Sequence, residues 1–169
     1  MIGTREYHNM QIRGIIIEHK KFMQIAIEQA LIGRENGDRP VGSIIVKRGT
    51  IIAKGHNREN SDYDSTAHAE MDAIRNVDPS LGPSGLSGAI LYSTGEPCIL
   101  CAGAIALSKI SCVVLGSNYN PNWGEFGDYN LQKAFDLISR PEIEIVRGVM
   151  VEECQAMSWA WRAEQIRNQ

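Results

Sequence analysis

The sequence predicts one α/β domain: a three-layer α/β/α sandwich around a five-stranded mixed sheet. Its 169 residues suit a single domain, and 43% hydrophobic with 22% charged residues are ordinary values for a globular protein. The apolar period changes from helical to strand-like early in the chain, and short β-branched runs then alternate with helical segments. A hairpin followed by such alternation is typical of a mixed sheet whose later strands are parallel.

The first helix is predicted from about Glu18 to Gly33. Apolar residues at helical spacing form one stripe there: Met23, Ala26, Ile27, Ala30 and Leu31. Pro40 prevents the helix from continuing. Residues 1–16 show no sustained period, so we expect a flexible N-terminal lead-in followed by a single domain over 17–169.

The remaining elements follow from short apolar runs and the residues that separate them. Arg48-Gly49 divides two β-branched runs, over 43–46 and 51–53, and predicts a hairpin. Ser65 or Thr66 is placed to cap a helix that continues to Val77. Further strands are predicted over 89–93, 112–115 and 143–146, and further helices over 97–108, 131–138 and 152–166.

The charge balance argues against an extended nucleic-acid interface. The chain has seventeen Lys and Arg residues and twenty Asp and Glu residues, which gives a net charge of −3 and a pI near 5.8. A protein that holds a phosphate backbone normally carries a basic surplus. We therefore expect a small-molecule partner. Nucleic acid is the less favoured partner, and it would have to bind a local basic patch.

The sequence also predicts a cytoplasmic protein without a membrane partner. The early apolar run Ile15-Ile16-Ile17 is far shorter than the core of a signal peptide or a membrane span. Thiols stay reduced in the cytoplasm. A closely spaced cysteine pair then indicates metal or redox chemistry before it indicates a disulfide.

Two segments carry residues suited to metal chemistry. Residues 66–70, Thr-Ala-His-Ala-Glu, lie at the start of a predicted helix, and residues 94–101 pass from a strand into a helix. Cys98 and Cys101, at i and i+3, project from one face of a first helical turn, where the thiolate is favoured. With His68 they supply three ligands for one tetrahedral Zn²⁺ per chain.

Three protein ligands are typical of a catalytic zinc site, because the fourth position stays open for water. Zinc lowers the pKa of such a water to near 7, and Glu70 is the carboxylate placed to accept its proton. Within a continuous helix His68 and Glu70 would face nearly opposite directions, so their convergence requires the looser geometry of a helix end. The alternative is a structural zinc knuckle, whose fourth ligand would be His56, Cys112 or Cys154.

These residues resemble the signature of the zinc-dependent nucleobase and nucleoside deaminases. The resemblance extends over residues 39–161 and places the chain near the branch of the cytidine deaminase-like superfamily that holds guanine, cytosine and tRNA-specific adenosine deaminases. It rests on His68-x-Glu70, Pro97-Cys98-x-x-Cys101, Pro40-Val41-Gly42 and Gly55-His56-Asn57.

The resemblance implies a role for each matching residue. His68, Cys98 and Cys101 would ligate zinc, and Glu70 would carry the proton from water to the leaving amino nitrogen. Asn57 would hydrogen-bond the base, and the backbone near Ala69 would hold a base edge. It further implies that hydroxide attacks an amidine carbon, that ammonia leaves from a tetrahedral intermediate, and that the protein is a homodimer.

A Gly/Asn/aromatic loop over 117–130 is a candidate for closing the pocket. Trp123 and Phe126 are placed to stack on a planar base at the carboxyl edge of the sheet, and Asp128 to accept a hydrogen bond from a purine N–H. The alternatives are local packing of the two aromatic rings and a solvated carboxylate.

The motifs divide on the identity of the base. Pro40-Val41-Gly42 and Cys101-Ala102-Gly103-Ala104 are most similar to tRNA adenosine deaminases, whereas residues 125–128 and 159–162 are slightly more similar to guanine deaminases. The acidic pI favours a small substrate over tRNA, because binding tRNA relies on neutralising phosphates. We expect hydrolytic deamination of a free nucleobase or nucleoside, with guanine ahead of cytosine and adenine. The alternative is a tRNA-specific adenosine deaminase that converts adenosine to inosine.

Overall fold

A five-stranded mixed sheet forms the centre of the molecule, as predicted. The computed structural model describes residues 4–82, 84–117 and 127–168. The sheet has the order β2-β1-β3-β4-β5: β1 pairs antiparallel with β2 and β3, and β3, β4 and β5 run parallel. The strands are β1 Gly42–Lys47, β2 Thr50–His56, β3 Ile90–Ser93, β4 Cys112–Leu115 and β5 Glu144–Val146.

Five α-helices alternate with the strands in the predicted order. They are α1 Thr4–Glu35, α2 Ala69–Arg75, α3 Ile99–Leu107, α4 Leu131–Leu137 and α5 Val151–Arg167, with a short 3₁₀ helix at Pro79–Leu81. Within the described ranges, none of these helices has the length and apolar character that a bilayer crossing requires.

Helices cover both faces of the sheet, which gives the three predicted layers. Alternate residues of a strand point to opposite faces. Ile44 and Val114 pack with Phe22 and Met23 of α1 and with Cys154 of α5. The other face packs against α2, α3 and α4, in a cluster that includes Ile45, Leu91, Val113, Ala73, Ile105 and Phe135.

The first helix begins earlier than the sequence predicts. It starts at Thr4 rather than near Glu18, and the flexibility expected of a lead-in over 1–16 stays a prediction. The apolar stripe marks where α1 packs on the sheet, beginning at the buried Phe22 and Met23, whereas Ile16 and Ile17 are exposed. Periodicity detects the packed part of a helix and misses exposed turns. The single domain over 17–169 stays a prediction.

The start of α2 also differs from the prediction. Ala69 is its first residue and His68 its N-cap, so neither Ser65 nor Thr66 caps it. The Thr66 hydroxyl donates instead to the Asp64 carboxylate, at 2.7 Å. The helix therefore begins at the motif that carries the predicted metal ligand.

Strand β2 touches the backbone of α2 at Gly55. A Cβ at this position would lie 2.2 Å from the Ala73 nitrogen and 2.6 Å from the Ala69 oxygen. These distances are much shorter than a van der Waals contact, and the backbone atoms concerned cannot rotate away. Glycine therefore sets how closely the helix that follows His68 approaches the sheet.

We predict that Gly55→Ala lowers the free energy of unfolding by about 1–3 kcal/mol or more, because the added methyl group forces α2 away from β2. Urea unfolding of the zinc-loaded protein measures this change. Gly103→Ala in α3 is the matched control, since its Cβ would meet nothing within 4 Å; it should gain about 0.5–1 kcal/mol from helix propensity. Equal urea midpoints for Gly55→Ala and the unaltered protein would contradict the close contact.

Candidate metal centre

Three predicted ligand atoms meet in one cluster. His68 Nδ1 lies 3.3 Å from Cys98 Sγ and 3.5 Å from Cys101 Sγ, and the two sulfurs lie 3.8 Å apart. Ligands on a tetrahedral Zn²⁺ with normal bond lengths stand about 3.8 Å apart for two sulfurs and about 3.6 Å apart for sulfur and nitrogen. The donor set and its spacing therefore fit zinc without rearrangement.

Two helix starts position these ligands. His68 and Cys98 are the N-cap residues of α2 and α3, both have extended backbones, and neither side chain caps its helix. Each side chain is thus available to the metal cluster. The positive ends of both helix dipoles point toward the cluster, which stabilises negative charge on the thiolates.

The cluster favours the thiolate of Cys98. Hydrogen bonds from the Cys101 thiol and from His68 lower the pKa of Cys98 to about 4, although burial opposes the shift. The thiolate is the form that ligates zinc. The hydrogen bond with Cys98 and burial raise the pKa of Cys101, so Cys98 is the cysteine of the pair that ionises first.

Glu70 lies beside the cluster and is almost fully buried. The Ser93 hydroxyl at the end of β3 donates to Glu70 Oε1 at 2.7 Å, and Oε2 lies 3.4 Å from Cys101 Sγ. Burial raises the pKa of Glu70. Because His68 stands outside the helix in an extended conformation, both side chains reach one site despite their i, i+2 spacing.

Two base-contact candidates belong to this region: Ala69 directly follows His68 in the chain, and Asn57 bonds to Glu59, whose other oxygen faces His68. Ala69 is the first residue of α2, so its N–H has no acceptor within the helix. Asn57 is buried, and its amide is bonded at both ends to Glu59: Nδ2 donates to the carboxylate at 2.7 Å, and Oδ1 accepts from the backbone N–H at 3.2 Å.

The remaining predicted contacts lie farther along the chain. The Asp128 side chain is 81% exposed and pairs with Lys133. Trp123 and Phe126 fall outside the described residues. Base contacts by all three stay predictions.

The proposed fourth ligands of a structural knuckle serve other purposes or lie elsewhere. Cys112 and Cys154 belong to the apolar cluster between the sheet and α1, where burial raises the pKa of both thiols to about 12. Among the described residues, the metal-suited group consists of His68, Cys98 and Cys101. This three-membered set favours a site with an open position.

Sequence reasoning missed three polar residues around the cluster. Ser93 holds Glu70, and Glu59 Oε1 lies 3.6 Å from His68 Nε2. Burial alone would raise the pKa of Glu59, but its bonds with His68 and Asn57 lower it on balance. The adjacent Pro97-Cys98 motif is a signal for the third, Glu96, whereas no sequence motif singles out Ser93 or Glu59.

Glu96 connects the cysteine loop to the following elements. Its Oε1 accepts from the Leu131 N–H at the start of α4 and from the Arg147 guanidinium, both at 3.0 Å. The side chain is only 2% exposed. A buried carboxylate satisfied in this way fixes the loop that carries Cys98.

Comparisons with known proteins agree with this geometry. The family described as "cytidine and deoxycytidylate deaminase zinc-binding region" matches residues 16–117. A relative from Bacillus subtilis, named tRNA-specific adenosine deaminase, is 40% identical over 146 residues, which cover 85% of this chain and 88% of the relative.

Solved structures place the chain in the same group. A structure from work on A-to-I editing by tRNA:A34 deaminases at the wobble position has a TM-score of 0.68 and 30% identity, over 81% of this chain and 98% of that one. A guanine deaminase from Bacillus subtilis is 41% identical with a TM-score of 0.54, but the match covers 57% of this chain and 62% of that one.

The expectation of a free nucleobase or nucleoside, with guanine favoured, is therefore wrong. The relative that matches the larger share of the chain is named for action on tRNA, at 85% against 57%. Net charge misled the prediction because it averages over the whole surface, whereas phosphate contacts depend on local cations.

The expectation of a zinc-dependent enzyme is confirmed. The matched family is a zinc-binding deaminase family, and the three-ligand cluster supplies the donor set that zinc prefers. The chain belongs to the cytidine deaminase-like superfamily and is a zinc-dependent hydrolytic deaminase.

Proposed function

We propose that this protein deaminates adenosine to inosine in tRNA. The observation that carries the proposal is the 40% identity to the Bacillus subtilis tRNA-specific adenosine deaminase over 85% of the chain. The fold likeness to the structure from work on tRNA:A34 deaminases, over 98% of that chain, supports it further.

We assign proton transfer to Glu70. When bound by His68, Cys98 and Cys101, zinc supplies a Lewis acid that brings the pKa of water close to 7. Ser93 holds one oxygen of the Glu70 carboxylate, and the other oxygen faces the thiol side of the cluster. That second oxygen, beside Cys101, takes a proton from water and delivers it to the amino nitrogen that leaves as ammonia.

We assign recognition of the base to Asn57 and to the Ala69 backbone. An Asn amide has two N–H donors and two acceptor lone pairs, so the two bonds with Glu59 leave capacity for a base edge. The Ala69 N–H at the start of α2 is a second donor of fixed position. Trp123 and Phe126 remain our candidates for stacking on the base, and Asp128 for a polar contact with it.

A polynucleotide substrate requires cations close to the site that binds the base. It does not require a net positive charge on the whole chain. Arg58 follows Asn57 directly, and its side chain is 41% exposed. Arg39 reaches the same loop through Glu59, at 3.5 Å. Contacts between phosphates and these guanidinium groups are compatible with a net charge of −3.

We predict that zinc-loaded protein forms inosine in tRNA and releases little ammonia from free guanine, cytosine, adenine or their nucleosides. The measurement is inosine content of a bulk tRNA pool beside an ammonia assay on the panel. Heat-denatured protein is the blank. Rapid turnover of a free base with unmodified tRNA would contradict the proposed substrate.

We predict that Glu70→Gln abolishes deamination while zinc stays at one ion per chain, because the amide keeps the shape but cannot carry the proton. Elemental analysis and the inosine assay measure the two quantities. Glu152→Gln, an exposed position in the first turn of α5, should leave both unchanged. Loss of zinc in Glu70→Gln would instead make Glu70 a metal ligand and overturn the assignment.

We further propose that the protein is a homodimer in which α3 contributes to the contact. The nine residues of α3, Ile-Leu-Cys-Ala-Gly-Ala-Ile-Ala-Leu, include no charged side chain. Leu100 and Leu107 lie on one face at i and i+7 and are 39% and 85% exposed. An apolar helix face beside a functional site is typical of an interface.

We predict that Leu107→Lys shifts the protein from dimer to monomer, because a buried ammonium at the contact has no partner. Sedimentation velocity at several concentrations measures the change. Leu137→Lys, at another exposed leucine, is the control and should leave the dimer intact. A monomeric unaltered protein would contradict the proposed assembly.

A further inference from the structure

The geometry points to Glu59 as a positioning residue of the metal centre, which orients the His68 ring and connects it through Arg39 to the C-terminal helix α5. This inference rests on the proposed role of His68 as a zinc ligand. Glu59 belongs to neither sequence motif, yet its side chain lies at the junction of the ligand, the base-contact candidate and α5.

The two carboxylate oxygens of Glu59 face different partners. Oε1 lies 3.6 Å from His68 Nε2. Oε2 accepts from Asn57 Nδ2 at 2.7 Å and lies 3.5 Å from Arg39 Nε. One oxygen of this side chain thus lies near the candidate metal ligand, and the other accepts a hydrogen bond from the base-contact candidate.

The position of His68 explains why this contact matters. Its Nδ1 faces the two sulfurs at 3.3 and 3.5 Å, and Nε2 faces Glu59. An imidazole that ligates through Nδ1 carries its proton on Nε2, and a carboxylate at that nitrogen fixes the tautomer and the ring plane and makes the ligand more basic. Each nitrogen of the ring therefore faces a partner.

The chemistry at this position requires a carboxylate. Three donors converge on Glu59, namely the N–H groups of His68, Asn57 and Arg39, and an ionised carboxylate is acceptor-only. A Gln side chain would present its own N–H₂ to one of these donors. An Asp side chain is one methylene shorter and cannot span the same partners.

Arg39 extends the contact to α5. Its guanidinium carbon lies 5.9 Å from the ring centroid of Trp161, within the range of a cation–π interaction. One turn farther along α5, Glu164 pairs with Arg34 of α1. The C-terminal half of α5 is thereby held beside Arg39 and, through it, beside Glu59.

A purely structural ion pair is the competing explanation. The side chains of Arg39 and Glu59 are 31% and 19% exposed, and partly exposed pairs contribute little to stability. Such a pair would leave zinc affinity untouched when it is broken. Metal affinity, rather than stability or activity, therefore separates the two explanations.

The experiment is chelator competition for zinc, with the visible spectrum of the Co²⁺-substituted protein as a second readout. Glu59→Gln is expected to weaken zinc binding by about 10- to 100-fold and to shift the Co²⁺ bands, because the His68 ring is no longer fixed. Trp161→Leu is expected to weaken it by about two- to fivefold, because only the Arg39 contact is loosened. Glu152→Gln, at an exposed position in the first turn of α5, is the matched control and should bind zinc as the unaltered protein does.

Two results would overturn the inference. Unaltered zinc affinity and Co²⁺ bands in Glu59→Gln would remove the positioning role, and unaltered affinity in Trp161→Leu would remove the connection to α5. If Glu59→Gln yields no folded protein, Glu59→Asp decides by the same readout, with weaker zinc binding expected. His68→Ala identifies a different failure: full zinc affinity in that variant would refute the ligand role in the proposed function.

Discussion

Two helix starts that meet at the carboxyl end of β3 determine the metal centre. His68 and Cys98 occupy capping positions but cap nothing, so their side chains are available to one cation and both helix dipoles favour the thiolates. The approach of α2 depends on Gly55. Helix α3 follows soon after the chain leaves β3 at Ser93, and the hydroxyl of this serine donates to Glu70. The candidate ligands and Glu70 are thus positioned by the same strand edge.

The sequence predicted what is encoded locally. Strand alternation, the hairpin at Arg48-Gly49 and the spacing of Cys98 and Cys101 each depend on neighbouring residues, and the structure agrees with the elements they predict. The start of α1 was missed because the first sixteen residues show no sustained helical period. Glu59 was missed because two of its partners, His68 and Arg39, lie 9 and 20 positions away, and no local pattern records such contacts.

The substrate was mispredicted for a related reason. Net charge sums over every side chain, whereas a phosphate group senses the few cations within a Debye length. Arg58 directly follows Asn57 and Arg39 lies 3.5 Å from Glu59, and the net charge stays negative despite both. Motif similarity around Pro40 and Cys101 pointed to the tRNA enzymes, and this local signal was more informative than the pI.

The Glu96 carboxylate connects parts of the chain that are distant in sequence. One oxygen of its carboxylate fixes both the cysteine loop and the point at which the chain enters α4, at Leu131. A second contact acts at the same place, since the Tyr129 hydroxyl donates to the Pro97 carbonyl oxygen at 2.7 Å. Because the same oxygen also accepts from Arg147 beyond β5, a single substitution at position 96 would disturb three segments of the chain at once.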